Sequence, residues 1–382
     1  GCTDAKAINY NPQANKNDGS CQYKTTMITP LYSQELPVQL NGTSGLVFFD
    51  NKLFSHNDHY TKTLYQIEVE NAQIVDSLLL GNVAYQDVED IDQDSLYVYL
   101  GDFGNNVSGN RTDLHILRIL KSSLFSSHIQ IDTIWFAYAD QVDFSATSSN
   151  ASDYDCEAFF VTTDSIYLFT KQWNTYGTAL YALPKTIGTH QAQFVAHYQV
   201  DGLITAAHYQ AENNQIVLCG YTSMLQPFLL LLYDYSGNNF FSGNKRKIAL
   251  NLPFHQVEAI AGVGNFQYYL SNEYISRYGV TVSAKLHKID LSEFLSSQNV
   301  PILNKENDSG HLIVYPNPAK SELFLEGNAE FSDIYLYNND GKLLKKASHC
   351  RQIAVGELSS GVYWINLINK NKTTAIKCFM KE

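Results

Sequence analysis

The sequence is poor in charged residues, and positive charge is the scarcer sign. Asp, Glu, Lys and Arg make up 17% of the 382 residues, and 26 Lys and Arg stand against 38 Asp and Glu, for a net charge of −12. A nucleic-acid partner requires a basic surface that meets its phosphates, so this composition argues against nucleic-acid binding. Surface helices also need many charged residues, so the scarcity favours strands and turns.

Long apolar runs and familiar catalytic motifs are missing as well. No apolar run reaches the length of about 18 residues that a membrane span needs, so we predict no transmembrane segment. No signal peptide is recognisable, so an exported protein would be seen here as its mature chain. The patterns Gly-x-Ser-x-Gly, His-Glu-x-x-His and Cys-x-x-Cys are absent, and the catalytic residues of any enzyme reading stay unknown.

What the sequence does contain is a repeat of short, aromatic-rich strands between residues 26 and 290. Each copy has a polar residue, a small residue, an apolar run, a turn, a second strand and a polar tip. The polar residues that open the copies are Ser44, Glu89, Glu157, Thr205 and Glu258. Units of four strands that repeat in this way predict a β-propeller, with five blades favoured and six as the alternative. The last unit shows three strands, and the segment MITPLYSQELPV before the first unit would supply its fourth.

The repeat also predicts where polar groups gather. In a propeller, the opening polar residue and the polar tip of each copy lie at one end of the central channel, which we call the channel mouth. The tips include His56, Asn57, Asp58, Asp102, Asn105, Lys171, Asn272 and Glu273. A small residue follows the opening residue at Gly45, Ala158, Ala206 and Ala259, and Asp90 alone breaks that rule.

Three glutamates around a narrow axis repel one another, so either their pKa values rise or cations neutralise them. We therefore predict a divalent cation, Ca²⁺ first, with Lys171 and Arg111 as alternative counter-charges and ordered water as a further alternative. The predicted metal ligands are Glu89, Glu157, Glu258 and Asp90. The predicted ligand-binding residues are Asp58, Asp102, Asn105, Arg111, Lys171 and Glu273.

The six cysteines fall into local pairs and isolated positions. Cys2 with Cys21, and Cys350 with Cys378, are predicted disulfides, which indicates an oxidising compartment. Cys156 and Cys219 lie inside apolar strands and are interpreted as buried thiols, with a third bridge as the alternative.

The C-terminal segment alternates apolar residues between turns, at Leu323 and Leu325, Ile334 and Leu336, and Val362 and Trp364, which predicts a small antiparallel β-sandwich. The predicted domains are a Cys-closed module at 1–24, the propeller at 25–291, a linker at 292–310 and the sandwich at 311–382. The phrases YPNP, NNDGK and LSSGVY and the Lys-containing C-terminus resemble the type A C-terminal sorting domain of the type IX secretion system. That resemblance implies recognition by the secretion machinery, export through the periplasm and outer membrane, and a secreted or cell-surface location.

Two further resemblances cover the rest of the chain. The segment GCTDAKAINYNPQANKNDGSC resembles a short module found beside domains of type IX-secreted proteins. Residues 85–185, with EDI, GDFGNN and the strand after Glu157, resemble a group of secreted propellers for which no activity is implied. Val88 stands where those proteins often carry an aromatic residue.

Three functions fit these observations. The first is a binding or recognition propeller with an acidic, cation-binding channel mouth. The second is a Ca²⁺-dependent hydrolase of the lactonase, phosphotriesterase or phytase kind, which needs an open metal position and a base. The third is a non-enzymatic adhesion or matrix scaffold.

Overall fold

The computed structural model describes residues 1–59, 61–277, 279–295, 313–326, 331–338, 342–348, 351–369 and 374–382. It divides into two compact units, Gly1–Gln298 and Asn299–Glu382. The elements of the described ranges are strands and short 3-10 turns, which confirms the predicted all-β fold class. The turns are Val38–Leu40, Lys121–Ser123, Ala211–Asn213 and Phe240–Ser242. Among the residues described, no helix is long and apolar enough to cross a membrane.

The first unit is a β-propeller built from antiparallel groups of strands. In chain order its strands are β1 (Met27–Ile28), β2 (Tyr32–Glu35), β3 (Thr43–Phe49), β4 (Lys52–Asn57), β5 (Thr63–Glu68), β6 (Gln73–Leu79), β7 (Val88–Gln93), β8 (Tyr97–Asp102), β9 (His115–Leu120), β10 (Ile131–Tyr138), β11 (Cys156–Val161), β12 (Ser165–Thr170), β13 (Thr178–Pro184), β14 (Gly188–Tyr198), β15 (Leu203–Gln210), β16 (Gln215–Tyr221), β17 (Pro227–Tyr233), β18 (Asn244–Leu250), β19 (Val257–Gly262), β20 (Gln267–Asn272), β21 (Ile275–Arg277), β22 (Val280–Val282) and β23 (Lys285–Asp290).

These strands form, within the described part of the chain, five four-stranded groups around one channel. Four groups are consecutive: β3 to β6, β7 to β10, β11 to β14 and β15 to β18. The innermost strands β3, β7, β11, β15 and β19 contact one another in that order, and β19 contacts β3. The remaining group has the order β19-β20-β23-β2, with Tyr32 opposite Lys288 and Glu35 opposite Lys285. The segment before the first group therefore closes the ring, as the sequence predicts.

Two outer edges of the groups are paired as well. Strand β10 pairs in parallel with β14, which joins two neighbouring groups into one eight-stranded sheet. Strand β1 pairs in parallel with β18. Unpaired edges invite association with other chains, so these pairings leave fewer backbone groups free for it.

Apolar clusters fill the space between neighbouring groups, which explains why the strands are apolar on both faces. Between the second and third groups, for example, Phe103 packs with Phe159 at 5.5 Å between ring centroids. Cys156 and Cys219 are buried free thiols in such clusters, as predicted. Packing continues to Leu295, which is buried against the last group, past the predicted start of the linker at 292.

The N-terminal module is closed by the predicted disulfide between Cys2 and Cys21. It packs on the outer side of the β15–β18 group, where Asp4 accepts hydrogen bonds from the hydroxyls of Tyr23 at 2.8 Å and Tyr233 at 2.7 Å. The predicted bridge between Cys350 and Cys378 involves side chains outside the described residues and stays a prediction.

The second unit has two antiparallel sheets. Its strands are β24 (Ile313–Tyr315), β25 (Glu322–Glu326), β26 (Phe331–Tyr337), β27 (Leu343–Ser348), β28 (Gln352–Ala354), β29 (Gly361–Asn369) and β30 (Thr374–Lys381). The sheet orders are β24-β25-β28 and β27-β26-β29-β30, which confirms the predicted sandwich.

One predicted face of the sandwich is wrong. Leu323, Leu325, Ile334 and Leu336 are buried as expected. In β29, however, Val362 is 45% exposed and Trp364 is 42% exposed, while Tyr363 and Ile365 are buried. Side chains alternate along a strand, so the sequence Val-Tyr-Trp-Ile presents apolar side chains on both faces. The sequence pattern therefore does not show which face is buried.

Candidate functional site

Each innermost strand of the described ring carries a β-bulge near its start. In β7, Val88 lies opposite Asp102 and Asp90 lies opposite Gly101, so Glu89 is an extra residue. The same interruption recurs in the other innermost strands. The extra residues are Ser44, Glu89, Glu157, Thr205 and Glu258. These are the opening polar residues of the sequence repeat. A β-bulge changes the direction in which one side chain of a strand points.

The bulged side chains are buried and connect neighbouring innermost strands. Ser44 donates from Oγ to the carbonyl oxygen of Glu89 at 3.0 Å and to its Oε2 at 3.2 Å. Thr205 donates from Oγ1 to the carbonyl oxygen of Val257 at 2.6 Å. The two hydroxyl positions of the repeat therefore stabilise the ring, and the three glutamates supply its ionisable groups.

Lys171, just past the end of β12, is the cation among these glutamates. Its Nζ lies 3.2 Å from Oε2 of Glu157 and 3.9 Å from Oε2 of Glu258. It also lies 5.0 Å from the ring centroid of Trp173 and 5.4 Å from that of Tyr221. Burial alone would lower the pKa of Lys171, but the carboxylates of Glu157 and Glu258 raise it well above its usual value.

The carboxyl groups outnumber this counter-charge. Burial raises the pKa of Glu89 well above its usual range, and Glu157 and Asp87 raise it further. Burial, with Asp155 adding to it, raises the pKa of Asp87 to about 6. Burial and Glu258 also raise the pKa of Glu273 well above its usual range. Within the described residues, the carboxyls with raised pKa values around Lys171 are Asp58, Asp87, Glu89, Asp155, Glu157, Glu258 and Glu273.

One oxygen of this cluster has no partner. Oε2 of Glu157 pairs with Lys171, whereas the buried Oε1 meets no hydrogen-bond donor among the residues that the structure describes. Leaving a buried carboxyl oxygen without a partner is costly. The cluster is therefore short of positive charge or of donors at this point.

Asp155 and Trp173 form the wall of the channel mouth between the second and third groups. The carboxylate of Asp155 accepts hydrogen bonds from the backbone N–H of Asn105 at 2.5 Å and from Nε1 of Trp173 at 2.7 Å. These contacts hold the indole ring beside Lys171.

A second part of the mouth contains Asp58, His59 and Asp87. Each offers one ligand atom, and these atoms lie within 4.8 Å of one another. Nδ1 of His59 contacts the carboxylate of Asp58 directly. Gly104 allows its loop to approach closely, since a Cβ there would lie 2.3 Å from Oε1 of Glu89 and 2.4 Å from Oδ2 of Asp87.

Three of the predicted ligand-binding residues, Asp102, Asn105 and Arg111, form hydrogen bonds that hold the loop around Gly104 in place. Arg111 donates to Oδ1 of Asp102 and to the carbonyl oxygen of Gly104, both at 2.8 Å. Asn105 accepts from the backbone N–H of Arg111 at 3.0 Å and donates to the carbonyl oxygen of Tyr154 at 3.2 Å. Direct ligand contacts by these residues stay a prediction.

Asp90 lies deeper in the channel than the bulged residues. Its carboxylate accepts from the backbone N–H groups of Ile91 at 2.9 Å, Phe159 at 3.0 Å and Ala207 at 3.2 Å. The side chain that breaks the small-residue rule thus links three innermost strands across the channel. Its predicted role as a metal ligand stays a prediction, with protein donors already on both carboxylate oxygens.

Sequence reasoning missed Trp173 and Tyr221 as members of the site. The signal that could have indicated Trp173 is its spacing, two residues after a Lys at a predicted polar tip. Tyr221 ends β16, opposite Leu203 at the start of β15, the same register that brings Asp102 and Asn272 to the mouth.

Comparison with known families identifies the C-terminal unit. Residues 313–381 match the family model described as a secretion system C-terminal sorting domain. The chain is a substrate of the type IX secretion system and is exported to the cell surface or the extracellular space. The resemblances of residues 1–21 and 85–185 stay predictions. No curated protein matches the sequence.

Solved structures with a similar backbone arrangement are distant from this chain in sequence. A glutaminyl cyclase of Myxococcus xanthus is 13% identical, covers 70% of this chain and 100% of its own, and gives a TM-score of 0.41. The WD40 repeats of RRP9 are 9% identical, cover 67% of this chain and 96% of their own, and give a TM-score of 0.37.

Proposed function

We propose that this exported propeller acts in ligand binding and that its channel mouth holds a divalent cation, Ca²⁺ in the first place. The observation that supports the proposal is the set of bulged, buried glutamates around Lys171, with Oε1 of Glu157 lacking a partner. The repeated bulge turns one residue of each innermost strand toward a shared point, which is costly for carboxylates unless something neutralises them.

The charge balance favours a cation over protonation alone. Lys171 carries one positive charge, and Arg111 is committed to Asp102 and Asp113. Ca²⁺ takes about six to eight oxygen ligands in flexible geometry, which suits carboxylates contributed by several strands. Asp87 and Glu89 are the central candidates for ligands, since Asp87 belongs to the group with Asp58 and His59 and both approach Gly104.

Calorimetric titration of the purified chain with Ca²⁺ and Mg²⁺ tests the proposal. We expect Ca²⁺ binding that weakens by about tenfold or more in Glu89→Gln and Glu157→Gln, because an amide cannot lose a proton to become a negatively charged ligand. The matched control is Glu68→Gln, an exposed glutamate on β5, which should bind as the wild type does. Absence of binding to either cation, or equal affinity in all variants, would contradict the proposal.

Lys171 provides a test with the opposite sign. Because its ammonium group lies among the same carboxylates, it competes electrostatically with any cation. Lys171→Met should therefore tighten Ca²⁺ binding in a variant that remains folded by circular dichroism. Weaker binding in that variant would mean that the cation does not share the glutamate cluster.

A hydrolase is the second candidate, favoured by the position of His59. His59 lies beside Asp58 and Asp87, where a base would stand next to a metal-bound water. Lactone and phosphoester substrates, screened with Ca²⁺ and with a chelator, should show turnover that His59→Gln abolishes while Ca²⁺ binding persists. Lack of metal-dependent turnover would leave binding alone as the function of the mouth.

A further inference from the structure

A cavity lies at the end of the propeller channel opposite the mouth, and we call it the distal cavity. It is formed where β3, β7, β15 and β19 end, and it has a volume of about 450 Å³. That size is within the range of small-molecule pockets, about 300–1,000 Å³. The side chains that matter below are Asp92, His208, Gln210, Glu212, Phe266 and Tyr268.

The distal cavity is separate from the mouth. Asp90 links the innermost strands between the two ends through its hydrogen bonds to Phe159 and Ala207. Asp92, two residues further along β7, accepts from the backbone N–H of Val161 at 2.6 Å and lines the cavity. A ligand in the cavity would therefore not touch the glutamates of the mouth.

His208 is the polar group that the fold leaves open in this cavity. Its ring packs edge-on against Tyr268 at 5.7 Å between centroids. A Cβ on Gly262 would lie 2.3 Å from Nε2 of His208, so the glycine makes room for the imidazole. No hydrogen bond to either ring nitrogen is found among the residues described, and burial lowers the pKa of His208 to about 4. At neutral pH the ring is thus uncharged and carries one donor and one acceptor nitrogen.

The charges of the lining disfavour an anionic ligand. Among the residues that the structure describes, no Lys or Arg lines the cavity, whereas Asp92 and Glu212 do. The uncharged polar groups include several amides, among them Gln210, which accepts from the hydroxyl of Tyr268 at 3.2 Å. Phe266 adds partly exposed aromatic surface, whereas Tyr268 is buried behind the imidazole. Amides and a neutral imidazole both donate and accept hydrogen bonds, which matches hydroxyl groups, while aromatic surface suits the C–H face of a ring.

We propose that the distal cavity binds a neutral saccharide unit, with the imidazole of His208 bonding a sugar hydroxyl and the side chain of Phe266 packing against the sugar ring. The site is independent of cation binding at the mouth. Its test is titration of the full chain with glucose, galactose, mannose and N-acetylglucosamine, followed by saturation-transfer NMR and calorimetry. Glucuronate is the anionic comparison, and a polysaccharide of whichever sugar binds distinguishes a free ligand from the end of a glycan.

Two variants make the test specific. His208→Phe keeps a ring of similar size over Gly262 but removes both nitrogens, and we expect at least about tenfold weaker binding. Gly262→Ala forces the imidazole into the cavity, and we expect loss of binding in a protein that still folds, because the displaced group is the end of a side chain. The control is Glu157→Gln at the mouth, which should bind the saccharide as the wild type does.

Each outcome of these titrations either supports or overturns the proposed saccharide site. Binding of a neutral sugar that both cavity variants weaken, with no binding of glucuronate, supports the proposal. It is overturned if no neutral sugar binds at millimolar concentration, if glucuronate binds equally well, or if His208→Phe leaves the affinity unchanged. Loss of sugar binding in Glu157→Gln would place the ligand at the mouth and overturn it too.

Discussion

Individual buried polar residues hold the propeller together where its strands crowd. Asp90 occupies a position that is Gly or Ala in the other copies, and it accepts backbone hydrogen bonds from two other innermost strands, β11 and β15. At the corresponding position of the first copy, Gly45 leaves space that the imidazole of His56 fills, with a Cβ there 2.3 Å from Nε2. The position after each bulge is thus small where another side chain needs the space, as His56 does beside Gly45. Where a larger residue stands there, as Asp90 does, its side chain fills the space itself.

His287 is the residue whose titration we expect to affect folding. It lies on β23 between the closing strand and β20, with Nδ1 2.7 Å from Oγ of Ser33 and Nε2 2.8 Å from Oδ1 of Asn272. Burial lowers its pKa to about 3. In the unfolded chain this histidine binds a proton near pH 6.5, whereas in the folded chain it stays neutral down to about pH 3. The free energy of unfolding therefore falls as pH drops from about 6.5 toward 3.

Replacing His287 by Gln removes this titration while keeping a hydrogen-bonding side chain. We expect the loss of unfolding free energy between about pH 6.5 and 4.5 to be smaller in His287→Gln than in the wild type, by about 1 to 2 kcal/mol. Urea unfolding at both pH values measures it. The control is His128→Gln, an exposed histidine. Equal pH dependence in His287→Gln and the wild type would show that His287 does not carry this effect.

At the scale of elements, the closing strand should contribute more stability than the N-terminal module. Residues 31 and 36 donate backbone hydrogen bonds to Lys288 at 2.7 Å and Ala284 at 2.9 Å, and β2 covers the edge of β23. Deleting residues 1–36 should lower the unfolding free energy by about 2 kcal/mol or more beyond the deletion of residues 1–24, since several ladder bonds are lost at once. Thermal unfolding of both truncations measures the difference. Equal stability of the two would argue against closure by β2.

The elements could be predicted from sequence to the extent that they repeat. The repeated sequence pattern predicted the innermost strands, the closing segment and the residues at the mouth, because each copy packs against its neighbours in the same way. The bulges were not predictable, since an extra residue in a ladder has no pattern of its own beyond a polar residue before a small one. The distal cavity was missed because His208 and Gln210 resemble ordinary strand-end residues until the neighbouring turns are placed.

The inner face of β29 shows a second limit. Tyr363 and Ile365 are buried and Val362 and Trp364 are not, although both pairs are apolar. Strand pairing with β26 and β30, which the sequence pattern does not specify, decides which pair faces the core.

At the scale of the whole molecule, the two units have different tasks. The second unit matches a secretion system C-terminal sorting domain and is expected to direct export, whereas the propeller carries both candidate sites. Deleting residues 311–382 should leave a folded propeller inside the outer membrane, in the periplasmic fraction, while the full chain reaches the surface or the medium. Immunoblots of fractionated cells with a periplasmic marker measure this. Propeller found outside the cell without the sorting domain would contradict it.

Sensitised terbium luminescence can show whether a cation binds among the glutamates of the channel mouth. Tb³⁺ replaces Ca²⁺ at oxygen-rich sites, and Trp173 lies at the mouth, with its indole N–H bonded to Asp155. Excitation of tryptophan should produce Tb³⁺ emission that Ca²⁺ displaces and that Trp173→Phe reduces strongly, whereas Trp135→Phe should not change it. No sensitised emission, or emission that survives in Trp173→Phe, would contradict the proposed cation binding.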